Sequence, residues 1–252
     1  MAQLYPDKIF YFFTYEEPLR NLSVKLLNRL TATDLSPYYR TARDLARSTN
    51  YEFLKSYIKA GRSDIVAVEN GKKRLRDLID GQRIRIVDRS YPVEDLHKLI
   101  LYLTREKRED IGAVFIDYIQ RMSTTRRTQD KRTEIAHISD MVLQIAKDSG
   151  LPIILGAQFR RKEAGRPGLD DLKEAGNLEE DANTVIRVWN QSREDEEPKT
   201  GKQDNEIDLE ITALKNREGE PNQSTILTFD KWTGVITDPT HSRDIGPPKE
   251  LF

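Results

Sequence analysis

The sequence predicts an α/β protein in which helices flank a mostly parallel sheet, with antiparallel strands at the C-terminal end. Continuous apolar runs at 9–13, 111–116 and 152–157 are typical of parallel strands that are buried on both faces. A helical segment separates the last two runs, and this strand-helix-strand order indicates a parallel sheet covered by helices. From residue 206 onward apolar residues alternate with acids, which indicates antiparallel pairing.

The other elements follow from turn-forming residues and from apolar residues spaced three or four positions apart. In chain order they are a helix over 19–30 opened by Pro18, a helical stretch ending at Gly61, a β-like segment over 84–87, a helix opened by Pro92, a helix over 132–149 closed by Gly150, and a strand over 224–229. Acids outnumber bases between 191 and 210, so we expect a mobile connector there. We expect one main domain over 1–240 and a tail over 241–252.

The composition excludes several classes of function. The chain has 41 Lys and Arg residues against 42 Asp and Glu residues, so it cannot grip a polyanion by bulk charge, and any contact with nucleic acid must be local. It contains no cysteine, which excludes disulfides and thiolate chemistry, and its three histidines lack the spacing of a zinc site. The longest apolar run is too short to cross a membrane and no signal peptide is evident, so we expect a cytoplasmic protein.

Polar residues at the ends of three predicted strands are the best candidates for chemistry. Asp117 ends the strand that begins at 111, Glu16 follows the first strand, and Gln158 follows the third. The carboxyl ends of parallel strands meet at one edge of the sheet, where α/β proteins bind their ligands. The set suits a general base, a metal holder and a sensor of phosphate or water. Each residue alone is weak evidence, because acids are also common in the turn after a strand.

A cationic loop follows the acid at position 117. Its basic residues are Arg121, Arg126, Arg127, Lys131 and Arg132. Serine and threonine fill the gaps between them, and Asp130 is the only acid, so the loop suits contacts with a phosphate backbone that do not read sequence. A merely solvated loop is the alternative. A second basic run over 72–76 is more simply an exposed helix face.

Lys215 and Arg217 end the alternating strand, and we expect the two side chains to protrude together. In a monomer they would be ordinary surface cations. In a ring they could reach the nucleotide of a neighbouring subunit, because a cation supplied in trans stabilises the charge that develops on a transferring phosphoryl group.

Six short motifs occur in order along the chain. They are FTYEE at 13–17, FIDYIQ at 115–120, RTEIAHIS at 132–139, LGAQFR at 155–160, DLKEAGNLEEDA at 171–182 and KNR at 215–217. Over residues 7–236 they resemble the RecA-like motor domain of DnaB-type hexameric replicative helicases. The corresponding family motifs are FSLEM, the Walker B strand IDYLQ, R-x-E-I-x-x-I-S, LSQLNR, DLRESGSIEQDA and K-x-R.

This resemblance implies a RecA-like fold and an ATP- and Mg²⁺-dependent helicase that acts in DNA replication. It places Glu16 on the glutamate that activates water, Asp117 on the aspartate that holds Mg²⁺ through water, and Gln158 on the sensor of the γ-phosphate. It places Lys215 and Arg217 on the pair that acts on the neighbouring subunit's nucleotide in a hexameric ring. The cationic loop would face the channel of that ring and hold single-stranded DNA by its backbone.

The sequence departs from the family pattern at the Walker A loop. That loop, G-x-x-x-x-G-K-[ST], cradles the β- and γ-phosphates and should precede the first strand, but only eight residues precede Ile9, and no such cluster occurs elsewhere in the chain. We therefore expect feeble nucleotide binding by this chain alone. Either the gene is split and a separate polypeptide carries the loop, or the chain is a trimmed piece of a longer one; a primase or helicase loader is a further expected partner. The alternative is a non-catalytic single-stranded-DNA-binding or regulatory RecA-like subunit that has lost nucleotide turnover.

Overall fold

A four-stranded parallel sheet forms the first half of the framework. The computed structural model describes residues 1–2, 4–31, 64–160, 165–175, 178–190, 206–231 and 233–238. The strands of the first sheet are β1 (Ile9–Thr14), β2 (Ile84–Val87), β3 (Ile111–Asp117) and β4 (Ile153–Leu155), in the order β2-β1-β3-β4. Every neighbouring pair is parallel, which confirms the α/β prediction.

The second sheet is antiparallel, as predicted for the C-terminal end of the chain. Its strands are β5 (Thr184–Asn190), β6 (Glu206–Asn216), β7 (Gln223–Asp230) and β8 (Ile236–Thr237), in sequential order. The prediction of a connector over 191–210 was wrong at its end, because residues from 206 onward belong to β6. There Ile207 pairs with Phe229 and Leu209 with Leu227, so β-pairing outweighs the local excess of acids. Residues 191–205 and the predicted tail lie outside the described residues.

Five α-helices are described beside these sheets. They are α1 (Leu19–Thr31), α2 (Asp64–Asp80), α3 (Val93–Leu101), α4 (Lys131–Ser149) and α5 (Leu178–Asp181). None of them is long and apolar enough to span a bilayer. The basic side chains of Lys73, Arg74 and Arg76 are exposed on α2, as predicted for that run. The predicted helical stretch ending at Gly61 lies outside the described residues.

Local residues set both ends of α4. The Asp130 carboxylate accepts a hydrogen bond from the Thr133 N–H at 2.7 Å, which caps the first turn. Gly150 ends the helix with φ of 68°, a left-handed conformation that favours glycine. The buried residues between these ends are Ile135, Ile138, Ser139, Val142 and Ile145. The predicted helix over 132–149 is therefore confirmed to within one residue.

The main core lies between the parallel sheet and helices α3 and α4. Its fully buried members include Phe13 of β1, Val114 of β3 and Leu96 of α3, all at 0% exposure. Burying one large apolar side chain contributes about 1.5–3 kcal/mol. Because Phe13 and Val114 lie on the strands that lead to the predicted site, the core holds the carboxyl ends of β1 and β3 in place.

Candidate functional site

The carboxyl ends of β1 and β3 lie side by side. Thr14 is the register partner of Asp117, and the backbone N–H of Tyr15 donates to the carbonyl oxygen of Asp117 at 2.8 Å. Parallel pairing therefore brings Asp117 and the residue after Tyr15, Glu16, to one edge of the sheet. The sequence predicted this placement.

Asp117 lies among other carboxylates. Its side chain is half-buried, and burial, followed by the negative charges of Glu16 and Glu17, raises the pKa of the Asp117 carboxyl. Lys25 acts in the opposite direction and forms an ion pair with Glu17 at 2.8 Å. Crowded carboxylates of this kind favour a nearby cation.

The donor set at this edge fits Mg²⁺ held through water. Mg²⁺ prefers oxygen ligands and usually binds one or two carboxylates, together with waters and substrate phosphates. Across the described residues no group of three or more His, Cys, Asp or Glu side chains could hold a metal ion by itself. Asp117 would thus accept a hydrogen bond from a water bound to Mg²⁺, while further waters and a bound phosphate would complete the coordination.

Gln158 follows β4 at the same edge. The side-chain amide of Gln120 donates to the Gln158 carbonyl at 3.1 Å, and the Gln158 N–H donates back to the Gln120 Oε1 at 3.2 Å. Gly156 allows the end of β4 to approach the site, because a Cβ there would lie 3.2 Å from the Tyr118 Cβ and 3.5 Å from the Asp117 Oδ1. The Gln158 backbone is therefore held against the side chain of Gln120, three residues after Asp117, and the Gln158 side chain is exposed.

The cationic loop lies next to this edge, and all five of its basic side chains are exposed, although Lys131 and Arg132 lie in the first turn of α4. Arg126, Arg127, Lys131 and Arg132 are all exposed to solvent. Lys131 pairs with Glu134 at 3.0 Å across one helical turn. Arg121 is exposed as well, but its Nη2 donates to the Glu16 Oε1 at 3.3 Å. The structure thus brings one of the five predicted DNA-binding cations onto the predicted catalytic glutamate.

Glu94 anchors the base of the loop, and the sequence analysis missed it. Its carboxylate accepts hydrogen bonds from the Thr124 hydroxyl and from the Thr125 N–H at 2.9 Å, and it pairs with His137 Nε2 at 3.0 Å. Burial raises the pKa of Glu94, but these hydrogen bonds, with that from Thr124 foremost, outweigh burial and lower the pKa to about 2. In the sequence Glu94 looks only like an acid in the first turn of a helix.

Lys215 and Arg217 lie together, and Arg217 is exposed, but both side chains also have hydrogen-bond partners within the chain. The Lys215 ammonium donates to the carbonyl oxygens of Glu179 and Glu180, and the Arg217 guanidinium also donates to the Glu180 carbonyl. These carbonyls belong to α5, and the last carbonyls of a helix have no partner within the helix. The end of α5 is therefore a partner of both cations that the sequence did not reveal.

The distinctive stretch over 171–182 has a structural role here. Asp171 is buried and accepts the Gly168 N–H at 2.6 Å, and Asp181 accepts a hydrogen bond from the Ser139 hydroxyl of α4. Three of the six motifs thus meet around α5, at Ser139, at Asp181 and at the Lys215 ammonium.

Comparison with known proteins gives a consistent family assignment. The family model for the DnaB-like helicase C-terminal domain matches residues 40–235. This range includes Asp117, Gln158, Lys215 and Arg217, whereas Glu16 precedes it. Among curated proteins, the replicative DNA helicase DnaB of Helicobacter pylori (strain ATCC 700392 / 26695) is 30% identical over 136 residues, covering 52% of this chain and 28% of the relative.

The probable plasmid replicative DNA helicase of Chlamydia psittaci is 33% identical over 149 residues, covering 57% of this chain and 31% of that protein. The chain therefore spans under a third of the length of these curated relatives.

Two solved structures share the fold at 20% sequence identity. The first, described as an ATPase domain, superposes with a TM-score of 0.73, covering 92% of this chain and 75% of that one. A DnaB-like replicative helicase, described together with its interactions with primase, superposes with a TM-score of 0.71 and covers 92% of this chain and 51% of that one. These similarities confirm the predicted RecA-like fold. With the family match over 40–235, they show that the chain belongs to the DnaB-like helicase C-terminal domain family.

Proposed function

We propose that this chain is part of an ATP-driven motor that unwinds DNA during replication. The observation that carries the proposal is the meeting of Glu16 and Asp117 at the carboxyl edge of the parallel sheet, directly beside a loop of exposed cations. A phosphoryl-transfer site needs an oriented base and a metal holder, and a DNA motor needs a cationic surface close to that site.

Each residue has one task in this proposal. The exposed Glu16 carboxylate accepts the proton of the attacking water, and the Asp117 carboxylate orients Mg²⁺ through water. Gln158 contacts the γ-phosphate from the end of β4. Bound ATP and Mg²⁺ would supply the cleavable phosphoanhydride and the charge that neutralises it.

The phosphate cradle lies outside residues 1–252 in this proposal. Residues 1–252 hold no G-x-x-x-x-G-K-[ST] loop, so in this proposal the backbone N–H groups and the lysine that surround the β- and γ-phosphates come from outside these residues. The motor assembles as a hexameric ring, and a primase or helicase loader is its further partner. We propose, too, that the motor acts in the cytoplasm.

Lys215 and Arg217 act across the ring in this assembly. To reach a neighbour's nucleotide they must leave the α5 carbonyls that they contact in the single chain. Those contacts go to uncharged carbonyl oxygens, so the more negative phosphates can replace them. In the single chain the carbonyls at the end of α5 thus bind both cations. When a neighbouring subunit is present, its nucleotide takes the place of these carbonyls.

Reconstituted hydrolysis tests the catalytic part of the proposal. The chain is mixed with a polypeptide that carries a Walker A loop, and ATP hydrolysis is measured with and without single-stranded DNA. We expect DNA-stimulated turnover that disappears in Glu16→Gln. Asp110→Asn is the matched control, because Asp110 pairs with Lys8 next to the amino end of β3, away from the site. If no mixture hydrolyses ATP while DNA binding is intact, the result favours the non-catalytic single-stranded-DNA-binding subunit.

Oligonucleotide binding tests the DNA part. Replacing Arg126, Arg127 and Lys131 by alanine should weaken binding to single-stranded oligonucleotides about equally for all sequences. The slope of log K against log salt should flatten by about 2, since each phosphate contact contributes roughly 0.7. The control replaces the exposed Lys73, Arg74 and Arg76 of α2, which removes the same charge elsewhere. If both triple variants lose the same amount of DNA affinity, only the total charge of the protein matters, and the assignment of the loop as the DNA-binding surface is contradicted.

A further inference from the structure

Arg121 links the cationic loop to Glu16. The Arg121 Nη2 lies 3.3 Å from the Glu16 Oε1, and its Nε donates to the Tyr118 hydroxyl at 3.2 Å. Its backbone is fixed in the core, because Ile119 is 0% and Met122 is 1% exposed. The arginine can therefore change partner by moving its side chain alone, without moving the chain.

We propose that Arg121 is a positioning residue that holds the Glu16 carboxylate while the loop is empty and releases it when single-stranded DNA binds. DNA phosphates and Glu16 then compete for one guanidinium. This inference rests on the proposed function, since it assumes that Glu16 is the base and that the loop receives DNA.

The exposure of the pair makes such an exchange feasible. The side chains of Arg121 and Glu16 are 56% and 48% exposed, and an ion pair so exposed to water shifts an equilibrium by a factor of only about two to five. A guanidinium has five N–H donors, and the two contacts described here use two of them. A phosphate that meets the guanidinium in the bidentate manner is thus a stronger competitor than Glu16.

The contact is specific to one of two adjacent carboxylates. Glu17, the next residue, pairs with Lys25 at 2.8 Å and is not the partner of Arg121. Removing the charge of Glu17 therefore reproduces the long-range electrostatic effect of removing Glu16, but it leaves the Arg121 contact intact. Glu17→Gln is the matched control for the experiments below.

The competition predicts a reciprocal effect on DNA affinity, because coupling between two binding events acts equally in both directions. Fluorescence anisotropy with a labelled oligo-dT is measured for the full chain and for its variants. We expect Glu16→Gln to tighten binding by about two- to fivefold, and Glu17→Gln to have less than half of this effect. Arg121→Ala should weaken oligo-dT binding, and the double variant with Glu16→Gln should bind no more tightly than Arg121→Ala alone.

The inference is overturned if Glu16→Gln and Glu17→Gln tighten binding alike, or if the effect of Glu16→Gln persists in the Arg121→Ala background. Either result would leave only long-range repulsion of the oligonucleotide by carboxylates. Circular dichroism of each variant verifies that the fold is kept, which is expected because both side chains are exposed.

Arginine side-chain NMR separates this inference from the proposed function. The Nε–H signal of Arg121, assigned by its loss in Arg121→Lys, should shift in Glu16→Gln but not in Glu17→Gln when DNA is absent. Adding oligo-dT to the wild-type chain should also shift it. If the oligonucleotide binds and the signal responds to neither change, only the Arg121 inference falls. If no variant binds the oligonucleotide, the proposed function falls and the competition falls with it.

Discussion

Neutralising Glu94 should detach the base of the cationic loop while leaving the rest of the fold intact. The lowering of the pKa of Glu94 from 4.5 to about 2 corresponds to about 3 kcal/mol of preference for the ionised form. Its side chain is 21% exposed, so solvent screening reduces the share that reaches the free energy of unfolding to about 1–2 kcal/mol. Glu94→Gln keeps the shape of the side chain and one acceptor oxygen but removes the charge that strengthens the contacts.

The effect should depend on pH with a definite sign. The folded-state pKa lies below the unfolded-state value, so the stabilisation is complete above about pH 5 and is lost as the pH falls toward 2. Urea unfolding should therefore show that Glu94→Gln costs about 1–2 kcal/mol at about pH 6 and about 0.4–0.8 kcal/mol at about pH 3. Trypsin cleavage after Arg126 or Arg127 should also accelerate, by about five- to thirtyfold at neutral pH.

Asp95→Asn is the control, since it removes the next carboxylate on the same helix turn. Asp95 is 46% exposed and pairs only with Lys98 at 3.0 Å among the ion pairs described, so its loss should cost under about 0.5 kcal/mol at either pH. Equal losses in Glu94→Gln and Asp95→Asn, or a cost of Glu94→Gln that does not change with pH, would refute the reasoning. His137→Gln, measured in parallel, shows how much of the pH dependence comes from the imidazole partner of Glu94.

Two glycines and one arginine give further predictions. Gly150→Ala should lower the free energy of unfolding, measured by chemical denaturation, by about 1–2 kcal/mol. The cause is backbone strain alone, because φ is 68° and no neighbouring atom lies within 4 Å of the added methyl group. Gly150→Asn should lose less stability, because asparagine tolerates this conformation better. Gly156→Ala should cost about 1–3 kcal/mol, because its Cβ would press on Tyr118 beside the Asp117 carboxylate, and full stability of this variant would contradict the close packing. Arg217→Ala should abolish the part of the reconstituted hydrolysis that rises with protein concentration while nucleotide affinity is largely kept; hydrolysis independent of wild-type protein concentration would contradict a role across the ring.

Several elements could be predicted because their determinants are local. The helix α4 carries its cap at Asp130, its apolar spacing and its terminal glycine within one stretch of sequence. β1 and β3 appear as continuous apolar runs because both of their faces are buried. The acid-rich start of β6 misled the prediction, since the charge of a segment says nothing about its pairing with a strand further along the chain.

The candidate site was predictable only in part. All strands of a parallel sheet have their carboxyl ends at the same edge. Glu16 and Asp117 could therefore be predicted to lie at one edge without knowledge of the strand order. The partners of the site were not predictable, because Arg121 meets Glu16 across 105 positions and Glu94 meets Thr125 across 31. The prediction for Lys215 also did not include its partner, because the Glu179 carbonyl of α5 that accepts its hydrogen bond lies 36 positions away in the sequence.

The amino-acid sequence by itself determined the α/β class, the antiparallel C-terminal end, the strand-end carboxylates and the family motifs, because periodicity and spacing are properties of neighbouring residues. Only the tertiary structure decided the strand order β2-β1-β3-β4 and the pairing of cations with carboxylates and carbonyls. The physical reason is that an ion pair or a terminal hydrogen bond needs atoms within about 3 Å, and packing alone brings residues so distant in sequence to that separation.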